Sequence, residues 1–341
     1  NYSTTKQQGF SLIELMIAVA LGIFITGGMI YLFTSSNQSY RVQESLSRLQ
    51  ENGRFAMSFL TTDIRMAGYM GCFSSTRILT NTLNNTTGFN YNFTSGLVGF
   101  DAVGTSWSPA LDASIPSASS GSDVIAMRGI FDQGIDITGQ PSNSGDCNGS
   151  STSHTAALKV SNNTVLADDD IVIAGNCENA AIFQISEFNA GEVVIHNTGR
   201  ATPCNATKDL GACFAGNGQL SKLSTRTYYI RTNPAGNSAL YIKNGTDAAE
   251  ELIEGIEAMQ VLYGEDTNND KTANYYLAAS NVNLNMDNVV SVKISLLVTT
   301  LKDNLAIQAV PYTIFGVTTT PADRRIRRVF SSTIALRNRL P

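Results

Sequence analysis

The sequence is poor in the residues from which catalytic sites are built. It has two histidines, His154 and His196, and one tryptophan in 341 residues. It contains no GxSxG, HExxH, P-loop or GxGxxG motif, so the usual patterns for a serine nucleophile, a zinc protease and a bound nucleotide are missing. Nothing in it sets a nucleophile beside a base and an orienting group. The sequence therefore predicts a protein that is not an enzyme.

Charged residues are also scarce. They make up 15% of the chain, the formal net charge is -5, and hydrophobic residues make up 43%. A protein that covers nucleic acid needs a surplus of lysine and arginine to neutralise phosphates, so the net negative charge argues against a dominant nucleic-acid-binding surface but leaves a local basic patch open. The abundance of Gly, Ser, Thr and Asn is typical of a β-rich extracytoplasmic domain with many turns.

Five cysteines, an odd number, leave one without a partner in the chain. They are Cys72, Cys147, Cys177, Cys204 and Cys213. No pair has CxxC or metal-ligand spacing, so zinc is not expected, and the set is compatible with an oxidising compartment. Cys204 and Cys213 enclose a short loop and are the expected disulfide. The sequence leaves the pairing among the other three open.

One long apolar run begins near the N-terminus. From Phe10 to Phe33 there are 24 residues, and Glu14 is the only charged one. A helix of this length measures about 36 Å, which is enough to cross a bilayer core of about 30 Å. A carboxylate inside a membrane costs roughly 2.5–3.5 kcal/mol on insertion scales, so Glu14 requires a partner. The preceding segment, 1–9, is short and polar and ends in Gly9, so the expected cleavage point precedes the apolar run instead of following it.

The heptapeptide GFSLIEL, residues 9–15, resembles the N-terminus of type IV prepilins. In that superfamily a hydrophilic leader ends in Gly, and the mature chain begins with Phe and has Glu at its fifth position. The resemblance implies that a prepilin peptidase cuts between Gly9 and Phe10 and N-methylates Phe10. It also implies a partner for Glu14, the N-terminal amine of a neighbouring subunit, because two charges that are costly alone in lipid neutralise each other on assembly.

The helix is expected to continue well beyond the apolar run. An apolar stripe recurs at spacings of three and four residues, which predicts a helix that packs one face on a globular domain. The stripe consists of Val42, Leu46, Leu49, Gly53, Ala56, Leu60, Ile64 and Ala67. The opposite face carries Arg41, Glu44, Arg48, Glu51 and Arg54, and it is either solvated or packed against neighbouring subunits. Gly68 and Gly71 are expected to end the helix.

The remainder reads as an antiparallel β domain. Asp123–Ile130 is a predicted strand, and two strands that flank the turn at 233–237 predict a hairpin. Residues 290–298 alternate between apolar and polar, apart from an apolar Leu297, which predicts a strand with one buried face. The fold class is therefore α+β and type IV pilin-like, with a long N-terminal helix packed on an antiparallel β-rich globular domain. The expected regions are a leader (1–9), a transmembrane half-helix (10–33), an amphipathic half-helix (34–68) and an extracytoplasmic β-rich domain (69–341).

Three stretches narrow the resemblance to the PilW group of minor pilins. They are residues 51–72 (ENGRFAMSFLTTDIRMAGYMGC), 252–266 (LIEGIEAMQVLYGED) and 327–339 (RRVFSSTIALRNR). The resemblance implies a minor pilin that helps to initiate type IV pilus assembly and sits at or near the filament tip. Its implied partners are other minor pilins, the major pilin, the prepilin peptidase and a tip adhesin. Its implied location is the inner membrane, as a single-pass protein with an extracytoplasmic domain, and then the pilus at the cell surface.

Two alternatives share the same N-terminus. A type II secretion pseudopilin of the J kind has the same α+β plan, although its members are usually shorter. A DNA-binding minor pilin for DNA uptake would use a basic C-terminal face. That face would consist of Arg324, Arg325, Arg327, Arg328, Arg337 and Arg339. Contact of these arginines with acidic faces of sister pilins, or ordinary exposure, is the favoured interpretation, so nucleic acid is not an expected partner.

One segment has the beginning of a calcium-loop pattern. Asp266, Asn268 and Asp270 place oxygen side chains at alternate positions, as in the first half of such a loop. Lys271 stands at the position of the invariant glycine, and Leu277 stands at the position of the final acid. We therefore expect a polar hairpin turn, with calcium as the alternative, and no other cofactor.

Overall fold

The computed structural model describes residues 9, 11–72, 78–142, 145–147, 155–161, 165–189, 191–200 and 202–339. Phe10 and His154 therefore lie outside the described residues.

The described elements begin with one helix, α1 (Leu12–Met66), and two short 3₁₀ helices lie at Met286–Asn288 and Arg337–Arg339. The described strands are β1 (Ile78–Asn81), β2 (Leu97–Val103), β3 (Ser106–Ser108), β4 (Val124–Ile130), β5 (Ile135–Gly139), β6 (Pro141–Ser142), β7 (Gly145–Asp146), β8 (Ala157–Val160), β9 (Ile171–Gly175), β10 (Asn179–Gln184), β11 (Glu187–Asn189), β12 (Val193–Ile195), β13 (Gln219–Thr232), β14 (Ser238–Asn244), β15 (Glu250–Glu254), β16 (Ile256–Glu265), β17 (Tyr275–Leu277), β18 (Val289–Thr299), β19 (Tyr312–Ile314), β20 (Val317–Thr319) and β21 (Arg327–Ala335).

The apolar run and the amphipathic stripe form one continuous helix, as the sequence predicts. α1 has 55 residues, and no proline or local break interrupts it. It ends where the two glycines allow the backbone to turn, since Gly68 and Gly71 have φ values of +75° and +81°, a region that other residues enter at a cost. The backbone N–H of Gly68 donates to the carbonyl of Arg128 at 2.8 Å, which fixes the exit of the helix onto β4.

The second half of α1 packs on the globular domain through the predicted stripe. Leu49, Ala56, Leu60 and Ile64 are all buried, whereas Val42 and Leu46, which lie nearer to the apolar half, are partly buried. At Gly53 the helix passes close to the sheet, because a Cβ atom there would lie 2.5 Å from the ring of Phe330. The stripe therefore fixes the helix at one height and rotation on the sheet.

A four-stranded antiparallel sheet lies beneath the helix, in the order β17-β16-β18-β21. Its central strand, β18, was expected to bury one face only, and this expectation is wrong. Val292, Ile294 and Leu296 join the core under α1, but Ser295 and Leu297 on the other face are buried as well. The hairpin β19-β20 accounts for part of this cover, since the Phe315 ring in its turn lies 5.5 Å from Nζ of Lys293 on that face.

The larger, thirteen-stranded sheet is organised by the long strand β13. The first part of β13 pairs with β5 and β9, and the second part pairs with β4 and β14. The predicted hairpin is confirmed as β13-β14, closed by a hydrogen bond of 2.8 Å from the Asn233 N–H to the Asn237 carbonyl, with Gly236 at φ +83°. The strand predicted at Asp123–Ile130 is confirmed as β4.

The expected disulfide between Cys204 and Cys213 is wrong. Cys213 pairs with Cys147, Cys72 pairs with Cys177, and Cys204 is the free thiol.

Hydrogen bonds hold the segments around Cys213 and Cys204 to different parts of the domain. The side chain of Gln140 accepts from the N–H of Phe214 at 2.8 Å and donates to the carbonyl of Ala212, so it binds both neighbours of Cys213. The backbone carbonyl of Gln140 accepts from the N–H of Cys147, which brings the two cysteines together. The carbonyl of Cys204, in contrast, accepts from the N–H of Asn84 at 3.0 Å. Proximity in sequence was therefore a poor guide, because long-range contacts decide which thiols meet.

Candidate functional site

The N-terminal half of α1 projects from the rest of the molecule. Every residue from 12 to 33 is exposed, including large apolar side chains such as Leu12 (77%) and Phe24 (83%). This half spans about 33 Å at the helical rise per residue. Among the described elements, α1 alone is long and apolar enough to cross a membrane.

Glu14 lies in the first turn of this exposed half. Ser11 precedes the helix in an extended conformation, and its backbone N–H donates to Oε2 of Glu14 at 3.0 Å. A carboxylate in the first turn is also stabilised by the positive end of the helix dipole. Within the described residues Glu14 makes no ion pair, so its carboxylate can accept a cationic group from outside the chain. The cleavage and methylation residues, Gly9 and Phe10, immediately precede Ser11, and Gly9 is exposed.

A buried ion pair joins the other end of α1 to the β domain. Oδ1 of Asp63 accepts from Nη1 of Arg226 at 3.1 Å, and Oδ2 accepts from the hydroxyl of Tyr228 at 2.7 Å. Burial, followed by the Asp63 carboxylate, raises the pKa of Tyr228 above its ordinary value, so the phenol stays a donor. The Arg226 guanidinium lies 4.3 Å from the ring centroid of Phe131, which covers it.

This ion pair settles an ambiguity of the sequence. From the sequence, either Asp63 or Arg65 could contact the domain at the helix exit or face solvent. Asp63 is buried and Arg65 is exposed. The available signal was position, since Asp63 follows Leu60 by three residues and so lies on the apolar stripe.

The segment with the calcium-loop pattern forms a tight polar turn. The carboxylate of Asp266 accepts hydrogen bonds from the backbone N–H groups of Asn268, Asp270 and Lys271. The side chain of Asn268 donates to Asp270 at 3.0 Å. These contacts agree with the polar turn that the sequence predicts. Within the described part of the chain, no group of three or more His, Cys, Asp or Glu side chains is placed to hold a metal ion.

The arginines near the C-terminus divide into paired and unpaired ones. Arg327 makes ion pairs with Glu257 at 2.7 Å and with Asp323. Arg328 and Arg337 are exposed and make no ion pair with any described residue. The basic face that the sequence suggests is therefore smaller than its six arginines indicate.

Of the two histidines, only His196 lies within the described residues. His196 is fully buried, with its ring 5.0 Å from that of Phe183.

Two families match the chain. The family described as Type IV Pilus-assembly protein W matches residues 227–338, from the second part of β13 to the C-terminal 3₁₀ helix. The family described as Prokaryotic N-terminal methylation motif matches residues 4–30, which include Gly9, Phe10 and Glu14. A search of curated proteins and a search of solved structures each found no match. The two matches, over residues 4–30 and 227–338, together with the long apolar helix and the antiparallel β domain, support a type IV pilus minor pilin of the PilW family.

Proposed function

We propose that this minor pilin helps to initiate pilus assembly and remains at or near the filament tip. Before assembly it is held in the inner membrane by α1, with the β domain on the extracytoplasmic side. The observation that carries the proposal is the exposure of residues 12–33 on every side of the helix. A helix that is apolar all round is stable only inside lipid or among other helices, and a pilus offers the second environment after the first.

Processing at the N-terminus would create the contact that Glu14 lacks. Cleavage by a prepilin peptidase after Gly9 gives Phe10 a free amine, which the same enzyme methylates. The amine of a neighbouring subunit can then approach Glu14, and the pair offsets the cost of keeping either charge alone in lipid. This contact favours assembled helices over isolated ones, because only a neighbour completes it.

The rest of the molecule determines which subunits the chain contacts in the filament. The exposed face of α1 with Arg41, Arg48, Glu51 and Arg54 continues the line of the apolar half and can meet the helices of adjacent subunits. The expected partners are other minor pilins and the major pilin, and a tip adhesin would rest on the complex they form. The β domain stands at the end of α1 opposite to the membrane half, where such contacts are made.

Incorporation into sheared filaments tests the role of Glu14. A deletion strain with pilus retraction disabled is complemented with the native chain, with Glu14→Val, or with Glu14→Asp as the matched control that keeps the charge. The chain is then quantified by immunoblot in sheared pili and in membranes, and its N-terminus is analysed by mass spectrometry. We expect Glu14→Val to be cleaved and membrane-bound but at least about tenfold depleted from pili, as loss of 1.4 kcal/mol or more requires.

The control separates charge from packing. Glu14→Asp should enter pili in larger amounts than Glu14→Val, since its carboxylate can still meet an amine. Equal amounts of the native chain and Glu14→Val in sheared pili would refute the proposed contact.

A further inference from the structure

Most strand edges of the molecule are protected against pairing with another strand. A long open edge exposes unpaired backbone groups that another chain can join, and short or charged edges prevent this. Here β1 has four residues, and β3, β11 and β17 have three each. The edge strand β15 has three glutamates among its five residues, and its pairing with β14 is interrupted by a bulge.

The edge formed by β21 has none of these protections along its centre. It has nine residues and pairs with β18 in one unbroken antiparallel register. From Val329 to Ala335 it contains no charged residue and no proline. Among the described strands, β18 is its only partner in the sheet.

The hydrogen bonds at the two ends of the ladder show which backbone groups point outwards. The N–H of Thr300 donates to the carbonyl of Ile326 at 3.0 Å, and the N–H of Leu336 donates to the carbonyl of Val290 at 2.9 Å. Even-numbered residues therefore bond to β18, and in an antiparallel pair the alternate residues turn their N–H and C=O groups away. The outward-facing residues are Arg327, Val329, Ser331, Thr333 and Ala335. No described residue makes a hydrogen bond to their backbone groups.

A groove beside this edge can take the side chains of an added strand. It lies between α1 and β21, has a volume of about 390 Å³, and is lined by Ser58, Thr61 and Arg65 of the helix and by Phe330 and Ser332 of the strand. Ser331, Thr333 and Ala335 are themselves exposed, so the edge is accessible from outside.

The charges around the edge indicate what kind of strand would bind. Arg328 lies at one end of β21, Arg337 lies just beyond the other end, and Arg65 lines the groove between them. All three are exposed and have no ion pair within the described part of the chain. An added strand with carboxylates at its two ends would therefore be attracted to this edge, and a basic strand would be repelled.

We propose that the outer edge of β21 binds an extended segment of another protein, which adds a fifth strand to the four-stranded sheet. The bound segment has an uncharged, β-forming centre and acidic residues near both ends. Main-chain hydrogen bonds to the five outward residues provide the affinity, and the three arginines provide the selectivity. This mode of recognition stands whether or not the chain initiates filaments.

A defined peptide tests the proposal on the full chain in detergent. The probe is the fluorescein-labelled peptide ETVTVTVTE, and binding is followed by fluorescence anisotropy. Ser331→Pro removes an outward N–H and leaves the bonds to β18 intact, which an edge position tolerates. Ser331→Ala is the matched control, since both variants lose the hydroxyl contact of 2.6 Å with Ser295. We expect Ser331→Ala to bind like the native chain and Ser331→Pro to bind at least about tenfold more weakly.

Two further peptides keep the test independent of any effect of Ser331→Pro on folding. One is the same peptide N-methylated at every peptide bond, which has no backbone N–H to donate to the edge in any register, and the other is KTVTVTVTK. Each should bind the native chain at least about tenfold more weakly than the first peptide. Absence of binding by the first peptide, or equal binding by the N-methylated one, would overturn the proposal. Self-association of the native chain that is lost in Ser331→Pro would assign the edge to a second copy and would overturn the proposed partner.

Discussion

Asp123 joins three segments of the globular domain through one buried carboxylate. Its Oδ1 accepts from the N–H of Ala102 at 2.9 Å and its Oδ2 accepts from the N–H of Val261 at 2.7 Å. Burial, together with the neighbouring Asp101 carboxylate, raises the pKa of Asp123 to about 7 in spite of these two hydrogen bonds. The buried hydroxyl of Tyr263 lies near the same pair, and its own pKa is raised well above the ordinary value by burial.

This carboxyl should make stability depend on pH. The unfolded chain releases the proton near 3.8, whereas the folded chain keeps it until about 7. The folded state therefore binds more protons between these values, so the contribution of Asp123 to the free energy of unfolding falls as pH rises through that window. We expect the stability of the native chain relative to Asp123→Asn to decrease by roughly 2–4 kcal/mol from about pH 5 to about pH 8. Thermal unfolding of both chains, followed by circular dichroism, measures this difference, and a constant difference would contradict it.

Asp63 allows a second test at the scale of single residues. Asp63→Asn leaves the partly buried Arg226 guanidinium with only the more exposed and more distant Asp132 carboxylate, 3.7 Å from Nη2, and it weakens the bond from Tyr228. Because removing the buried member of the pair leaves the guanidinium poorly compensated, we expect a loss of about 2–4 kcal/mol in the free energy of unfolding. Urea denaturation measures the loss. Arg65→Gln, on the exposed side of the same turn, should change stability by no more than about 0.5 kcal/mol; similar losses in both variants would show that the ion pair is not the cause.

At the scale of elements, α1 could be predicted from the sequence almost to its ends. Its apolar run, its stripe and the two terminal glycines are local signals, and each of them fixes one property of a helix. The burial of β18 on both faces could not be predicted in the same way. Its polar residues Ser291 and Ser295 are buried by other strands, since their hydroxyls lie 3.0 Å from that of Tyr276 in β17 and 2.6 Å from that of Ser331 in β21. These contacts are long-range, so no local sequence pattern predicts them.

The cysteines show the same limit. A short spacing favoured Cys204 with Cys213, yet the two native bridges span 105 and 66 residues. The bridge from Cys72 ties the exit of α1 to the turn after β9, and the bridge from Cys147, just after β7, ties that segment to the loop before β13. Such pairs follow from the completed fold and not from neighbouring sequence.

The bridges can be mapped directly. Alkylation of the denatured chain without reductant should label one cysteine, Cys204, because the other four are oxidised. Proteolysis and mass spectrometry should then recover the peptides of Cys72 with Cys177 and of Cys147 with Cys213. Alkylation after reduction serves as the control and should label all five. Recovery of a Cys204–Cys213 peptide would contradict the structure.

At the scale of the whole molecule, the two segments that match known families are the N-terminus of α1 and the sheet region on which α1 packs. The methylation motif covers its N-terminus, and the PilW match runs from the second part of β13 through the four-stranded sheet on which its second half rests. The sequence predicted α1 and this sheet better than the rest of the domain, because the resemblance to a known family covers both ends of the chain. The lobe built from β5, β8–β12 and the first part of β13 has its own core, around Phe183 and Phe214. Its topology was not predictable, because its short strands pair in an order far from that of the sequence.

The central claim is that this minor pilin initiates filaments, and its most direct test is the yield of pili. Pili are sheared from cells that lack the gene, with retraction disabled, and compared with cells complemented by the native chain or by Glu14→Val. The account predicts a severe loss of pili that the native chain restores and Glu14→Val does not. Normal pili in the deletion strain would contradict it, and failed secretion or failed DNA uptake in those cells would assign the protein to a pseudopilin or a DNA-binding pilin instead.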